Sequence, residues 1–139
     1  MFERDTIEAV LPYTDYVFCN EDEQAEMQKA IGCDHIGEWL AKVEKKNMDR
    51  PKRVVIMTQG AEPTQVVTCD HSTADKECLK ETVEVPHLEK DKIVDTNGAG
   101  DSFVGGFFSG IIAGEDVRKS VQMGNELARI VVQNSGCQF

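Results

Sequence analysis

Gly98, Ala99 and Gly100 stand directly before an apolar segment with helical spacing, Ser102-Phe103-Val104-Gly105-Gly106-Phe107, and Asp101 closes the turn between them. A glycine-rich helix start leaves several backbone N–H groups without intrahelical acceptors, aimed at one point. An anion is the natural occupant of that point. A carboxylate beside a bound phosphate is electrostatically costly, so Asp101 needs a chemical reason to be there. Taking the proton from a hydroxyl that attacks a phosphoryl group supplies one. The alternative is an ordinary helix start in which Asp101 complements the helix dipole.

The full stretch Asp95-Thr96-Asn97-Gly98-Ala99-Gly100-Asp101-Ser102-Phe103 resembles the signature of the ribokinase (phosphofructokinase-B) family of sugar and nucleoside kinases. Its Asn97 form is most similar to the adenosine kinase branch. Neither P-loop spacing nor a protein-kinase glycine loop with a following catalytic lysine is present. The resemblance implies that Asp101 is the catalytic base. It implies that the N–H groups of Gly98, Ala99 and Gly100 steady charge on the transferring γ-phosphoryl group, with Asn97 at the nucleotide. For Asp95 it implies a share in a monovalent cation (K⁺) site, together with carbonyls near Ser135-Gly136-Cys137. A turn-capping carboxylate is the other reading of Asp95.

Two further segments resemble motifs of the same family. Asn20-Glu21-Asp22-Glu23 matches its Asn-x-x-Glu motif, which helps arrange Mg²⁺ and phosphate, often through water. An amide oxygen and a carboxylate three residues apart meet on one helix face, and Mg²⁺ keeps several waters. Glu23 is therefore the candidate Mg²⁺ residue, acting through water. An N-capped acidic first turn would produce the same four residues. Thr58-Gln59-Gly60 is similar to the family's Thr-x-Gly turn, in which a hydroxyl and a glycine N–H contact nucleotide phosphate. The next residue is Ala61, where an adenosine kinase can carry Arg. Asn125 falls where the family lines the adenine pocket of ATP, and Lys90 to Lys92 border the same pocket by resemblance.

These residues need elements to hold them. Residues 3–11 read as a helix ended by Pro12. Tyr16 to Cys19 reads as a buried strand, and Asn20 caps the acidic helix that follows, with Gly32 interrupting it. Residues 35–47 form a second helical pattern with Trp39 as a core anchor. Val54 to Thr58 is a β-branched strand, Gln59-Gly60 turns the chain, and Thr64 to Cys69 is its antiparallel partner. Residues 70–81 read as a polar loop or hairpin tip, and residues 82–86 as a half-exposed strand. Helices follow at 100–113 and 115–133, the latter with Val117, Val121, Leu127, Ile130 and Val131 on or near its inner face. Strands alternating with helices imply a layered α/β sheet with an antiparallel portion. The resemblance implies a ribokinase-like three-layer α/β/α sandwich, mostly parallel with an antiparallel hairpin part. Asn20 to Glu23, Thr58 to Gly60 and Asn97 to Asp101 then lie near strand ends, where such sheets gather ligands.

Composition sets the outer bounds. The 139 residues make one domain with room for a core. A formal net charge of -10 argues against nucleic-acid and anionic-membrane partners, while a helix terminus and Mg²⁺ still hold ATP locally. No run is long and apolar enough to span a membrane. The five cysteines (Cys19, Cys33, Cys69, Cys78 and Cys137) show no zinc spacing and read as reduced thiols of a cytoplasmic protein. His35, His71 and His87 show no metal-ligand spacing and read as surface or loop residues.

The resemblance covers residues 11–139, and only the C-terminal part of the family's pattern. It implies that the sugar-contacting acid, the Gly-Gly substrate motif and the lid belong to a missing N-terminal half, supplied in cis or in trans. The implied whole is an adenosine kinase converting ATP and adenosine to ADP and AMP in purine salvage, with this chain alone inactive. The alternatives are another sugar or nucleoside kinase of the family, or a noncatalytic nucleotide-binding or interaction protein.

Overall fold

The structure is a computed structural model that describes residues 4–86 and 98–132. Backbone packing divides the chain into two compact units. One comprises Met1–Gly60 and Gln65–Thr82, the other Ala61–Thr64 and Val83–Phe139.

The first unit opens with α1 (Arg4–Val10), which runs into a 3-10 turn, Leu11–Tyr13, with Pro12 in its first turn. Proline is tolerated there because its missing N–H has no intrahelical acceptor to lose. A four-stranded sheet follows, β1 (Tyr16–Cys19), β2 (Lys52–Gln59), β3 (Glu62–Asp70) and β4 (Cys78–Val83), in the order β1-β2-β3-β4. β1 and β2 are parallel, with Cys19 level with Met57. The β2–β3 connection is two residues long and the β3–β4 connection seven. Both are too short for a parallel crossover, so these pairs are antiparallel. The expected mixture of pairings is present, and among the described strands the antiparallel share is the larger.

Residues Arg53 to Met57 of β2 are all buried, as befits a strand covered on both faces. Val55 and Met57 meet α2 (Glu21–Ile31) and α3 (Ile36–Lys42) in a core with Met27, Ile31, Leu40 and Ala41. Gly37 allows α3 to lie close, since a Cβ there would meet the Met57 Sδ at 2.6 Å. Gly32 ends α2 in the left-handed region (φ 75°), a conformation that costs glycine little.

Five expectations are corrected here. The helix over 35–47 is confined to Ile36–Lys42, because the segment beyond it is organised by two buried cations. Arg53 Nε donates to Thr14 O at 3.0 Å, and Arg53 Nη1 donates to Leu40 O and Ala41 O at 3.2 and 3.3 Å. The guanidinium also reaches the Val43 and Leu11 carbonyls. Lys45 Nζ donates to Asp15 Oδ1 at 2.5 Å, to Asn47 O at 3.1 Å and to Arg50 O. Trp39 is half-buried at the edge of the core rather than its anchor, and lines a surface cavity with Cys33 and His35. The expected polar loop over 70–81 becomes strand from Cys78, and the strand expected at 82–86 ends at Val83. Cys69 and Cys78 are disulfide-bonded across β3 and β4, not reduced.

The second unit holds α4 (Ala99–Ile112) and α5 (Val117–Val132), packed as a helical hairpin. Gly114 (φ 86°) turns the chain, and Asp116 Oδ1 caps α5 by accepting from the Lys119 N–H at 2.7 Å. Small residues set the helix spacing. A Cβ on Gly106 would lie 2.7 Å from Met123 O, and one on Gly124 would lie 2.7 Å from Phe103 O. Val121 and Val131 are buried, whereas Ile130 is 44% exposed.

Candidate functional site

In the first unit the parallel register brings two predicted segments to one strand end. Cys19 is level with Met57, so Asn20 and Thr58, each one residue further on, emerge side by side. Gln24 Nε2 reaches from the first turns of α2 to Thr58 O at 3.4 Å. Gly60 (φ 58°) is the first of the two turn residues between β2 and β3, the position that favours glycine in a tight hairpin. A Cβ on Gly60 would lie 3.5 Å from Glu21 Oε1, so the turn and the α2 N-terminus are neighbours. Asn20, Glu23, Thr58 and Gly60 are thereby gathered at the carboxyl end of the parallel pair.

Asn20 and Glu23 form a capping box. The Glu23 N–H donates to Asn20 Oδ1 and the Asn20 N–H donates to Glu23 Oε1, both at 2.9 Å. This is the first-turn arrangement that the sequence left open beside the Mg²⁺ role. The two readings are compatible in one respect, since the box engages Oε1 and leaves Glu23 its second carboxylate oxygen.

In the second unit the helix start has the expected form. Gly98 is the N-cap residue of α4 at φ 80°, a backbone state that other residues enter at a cost of roughly 1–2 kcal/mol. Gly98, lacking a side chain, makes no side-chain cap bond at this end. The Ser102 N–H donates to Gly98 O at 2.9 Å, so the N–H groups of Ala99, Gly100 and Asp101 precede the first intrahelical bond. A Cβ on Gly100 would meet no atom within 4 Å. Packing therefore does not require this glycine, and its bareness keeps the approach to the helix end open. Asp101 is exposed in the first turn.

Asn125, on α5, is 7% exposed. Its Oδ1 accepts from Thr64 Oγ1 at 3.4 Å, and its Nδ2 is buried without a hydrogen-bond partner among the described residues. Thr64 was not singled out by the sequence reading, because a threonine in a β-branched strand carries no signal of its own. His71, read as a loop residue, is buried. Its Nε2 lies 2.8 Å from Ala41 O, and burial together with nearby Arg53, Lys76 and Lys45 holds its pKa below the usual histidine range. Asp95, Asn97, Lys90 to Lys92, His87 and Ser135 to Cys137 lie outside the described residues. Among the described residues no helix is long and apolar enough to cross a membrane.

A glycine-started helix end with an exposed first-turn aspartate, in a sheet-and-helix chain, is the arrangement that the sequence signature calls for. The family model for pfkB family carbohydrate kinases matches residues 2–139. The chain belongs to the pfkB family of carbohydrate kinases. Among curated relatives, the adenosine kinase of Schizophyllum commune is 40% identical over 144 residues, covering 99% of this chain and 40% of its own length. Among solved structures, the adenosine kinase of Anopheles gambiae, in complex with a di(adenosine) tetraphosphate, superposes with a TM-score of 0.81. It is 34% identical over 96% of this chain and 39% of its own. The Schistosoma mansoni adenosine kinase in complex with 2-fluoroadenosine has a TM-score of 0.82 and is 26% identical, over 97% of this chain and 39% of its own. This pfkB-family chain thus has the expected ribokinase-like α/β fold and spans about two fifths of the relatives it matches.

Proposed function

We propose that this chain supplies the ATP site and the catalytic base of an adenosine kinase. The reaction transfers the γ-phosphoryl group of ATP to the 5′-hydroxyl of adenosine, giving ADP and AMP. The observation that carries the reading is the α4 start. Left-handed Gly98, which brings no side-chain cap to the helix end, bare Gly100 and exposed Asp101 lie within four residues. The helix N–H groups favour the charge of the transferring group, and Asp101 takes the proton of the attacking hydroxyl. Thr58 and Gly60 contact nucleotide phosphate, and the buried Nδ2 of Asn125, without a partner among the described residues, donates to the base of ATP.

Mg²⁺, when bound, neutralises charge on the phosphates. The donor set suits a hydrated ion held mainly by the nucleotide, since Glu23 offers one carboxylate oxygen outside its capping box. Asp95 contributes to a monovalent cation site. Salvage chemistry goes with a cytoplasmic location, and the Cys69–Cys78 bond is the observation that pulls the other way.

The test is Asp101→Asn in the natural polypeptide that carries this chain. Transfer to adenosine should slow by about 10²–10⁴-fold, with ATP affinity kept within a few-fold. A variant that transfers at wild-type rate would remove Asp101 as the base.

A further inference from the structure

We propose that Thr64 is a positioning residue for nucleotide recognition: its hydroxyl engages the carbonyl end of the Asn125 amide and leaves the amino end for the ligand. This rests on the reading that Asn125 faces the base of ATP. Thr64 is 1% exposed and Asn125 7%, so both side chains are shielded from bulk water. Thr64 Oγ1 donates to Asn125 Oδ1 at 3.4 Å, and Nδ2 is the atom left without a partner among the described residues. A buried amide donor with no acceptor is costly, so its presence points to an acceptor that arrives with a ligand. An amide has two chemically different ends. Held by Thr64 at the oxygen, Asn125 presents N–H and selects a lone pair such as a purine ring nitrogen. Freed to turn over, it would present a carbonyl that repels the same lone pair. Thr64 itself sits on β3, four residues beyond Gly60, and needs no contact with the ligand to act.

The experiment compares Thr64→Val, Thr64→Ser, Asn125→Ala and Asn125→Asp in the natural polypeptide, by steady-state kinetics with ATP and adenosine and by thermal melting. Thr64→Val keeps the shape and removes the hydroxyl. It should raise KM for ATP about five- to tenfold, leave KM for adenosine and kcat within twofold, and Thr64→Ser should restore wild-type behaviour. Asn125→Asp keeps the oxygen that Thr64 engages but removes the donor, so it should raise KM for ATP at least as much. Thr64→Ala, which also removes the hydroxyl, serves as the test if Thr64→Val does not fold. If Asn125→Ala raises KM for ATP but Thr64→Val does not, the Thr64 role is overturned while Asn125 keeps its place. If Asn125→Ala and Asn125→Asp both bind ATP like the wild type, the placement of Asn125 at the nucleotide fails, and the Thr64 role with it.

Discussion

Single residues carry the electrostatics of this chain. His71 donates through Nε2 to Ala41 O, and its Nδ1 is buried without a partner among the described residues. Protonation would bury a further positive charge beside Arg53, Lys76 and Lys45, so burial first and these cations second lower its pKa from 6.5 in the folded state. The unfolded chain then binds the proton more readily. The contribution of neutral His71 is fully present above about pH 6.5 and is lost as pH falls below it. His71→Gln should flatten the stability profile between pH 7 and 5, as measured by urea unfolding. The paired carboxylates act lower down. Lys42 and Lys80 hold Glu38 at about 2, against an ordinary 4.5, so its share is lost only in stronger acid. Arg53 is costly to remove. Its guanidinium satisfies carbonyls at the ends of α3 and the 3-10 turn, and Arg53→Met should destabilise the fold by roughly 3–5 kcal/mol in the same assay. None of this was legible in the sequence. Arg53 drew no attention in the sequence and His71 looked like a surface or loop residue, because burial is set by distant segments closing over them.

At the scale of elements, close approach decides what is tolerated. Gly106 and Gly124 let α4 and α5 touch backbone to backbone. Gly106→Ala should therefore cost about 1–3 kcal/mol by thermal unfolding, against a near-neutral effect for Gly105→Ala, where a Cβ meets open space. The β3–β4 hairpin is clamped by Cys69–Cys78, which are nine residues apart. A loop of this size gains roughly 2–3 kcal/mol from closure. Quenching the natural protein under denaturing conditions and alkylating it should leave these two cysteines unlabelled until reductant is added. Labelling of both beforehand would return them to the reduced state that composition suggested. Element identities were largely readable. β1 and the Asn20 cap follow from an apolar run and a capping residue, which are local signals. β4 and the end of α3 were misread because strand partners and buried cations, both non-local, define them.

For the whole molecule, the chain spans about two fifths of its relatives, and phosphoryl transfer depends on positioning both substrates. The 139-residue chain assayed by itself should phosphorylate adenosine at no more than background, measured as AMP formed from ATP. Turnover comparable to that of a complete relative would overturn that expectation. The sequence by itself determined the family, the glycine-started helix with Asp101, and the strand ends that carry Asn20 and Thr58. Each of these rests on residues adjacent in the chain, where steric and hydrogen-bonding preferences act locally. Only the tertiary structure decided that Asn125 is buried against Thr64, that Cys69 meets Cys78, and that Arg53 and His71 share one carbonyl. Those pairings join residues far apart in sequence, and chain folding, not local preference, brings them within bonding distance.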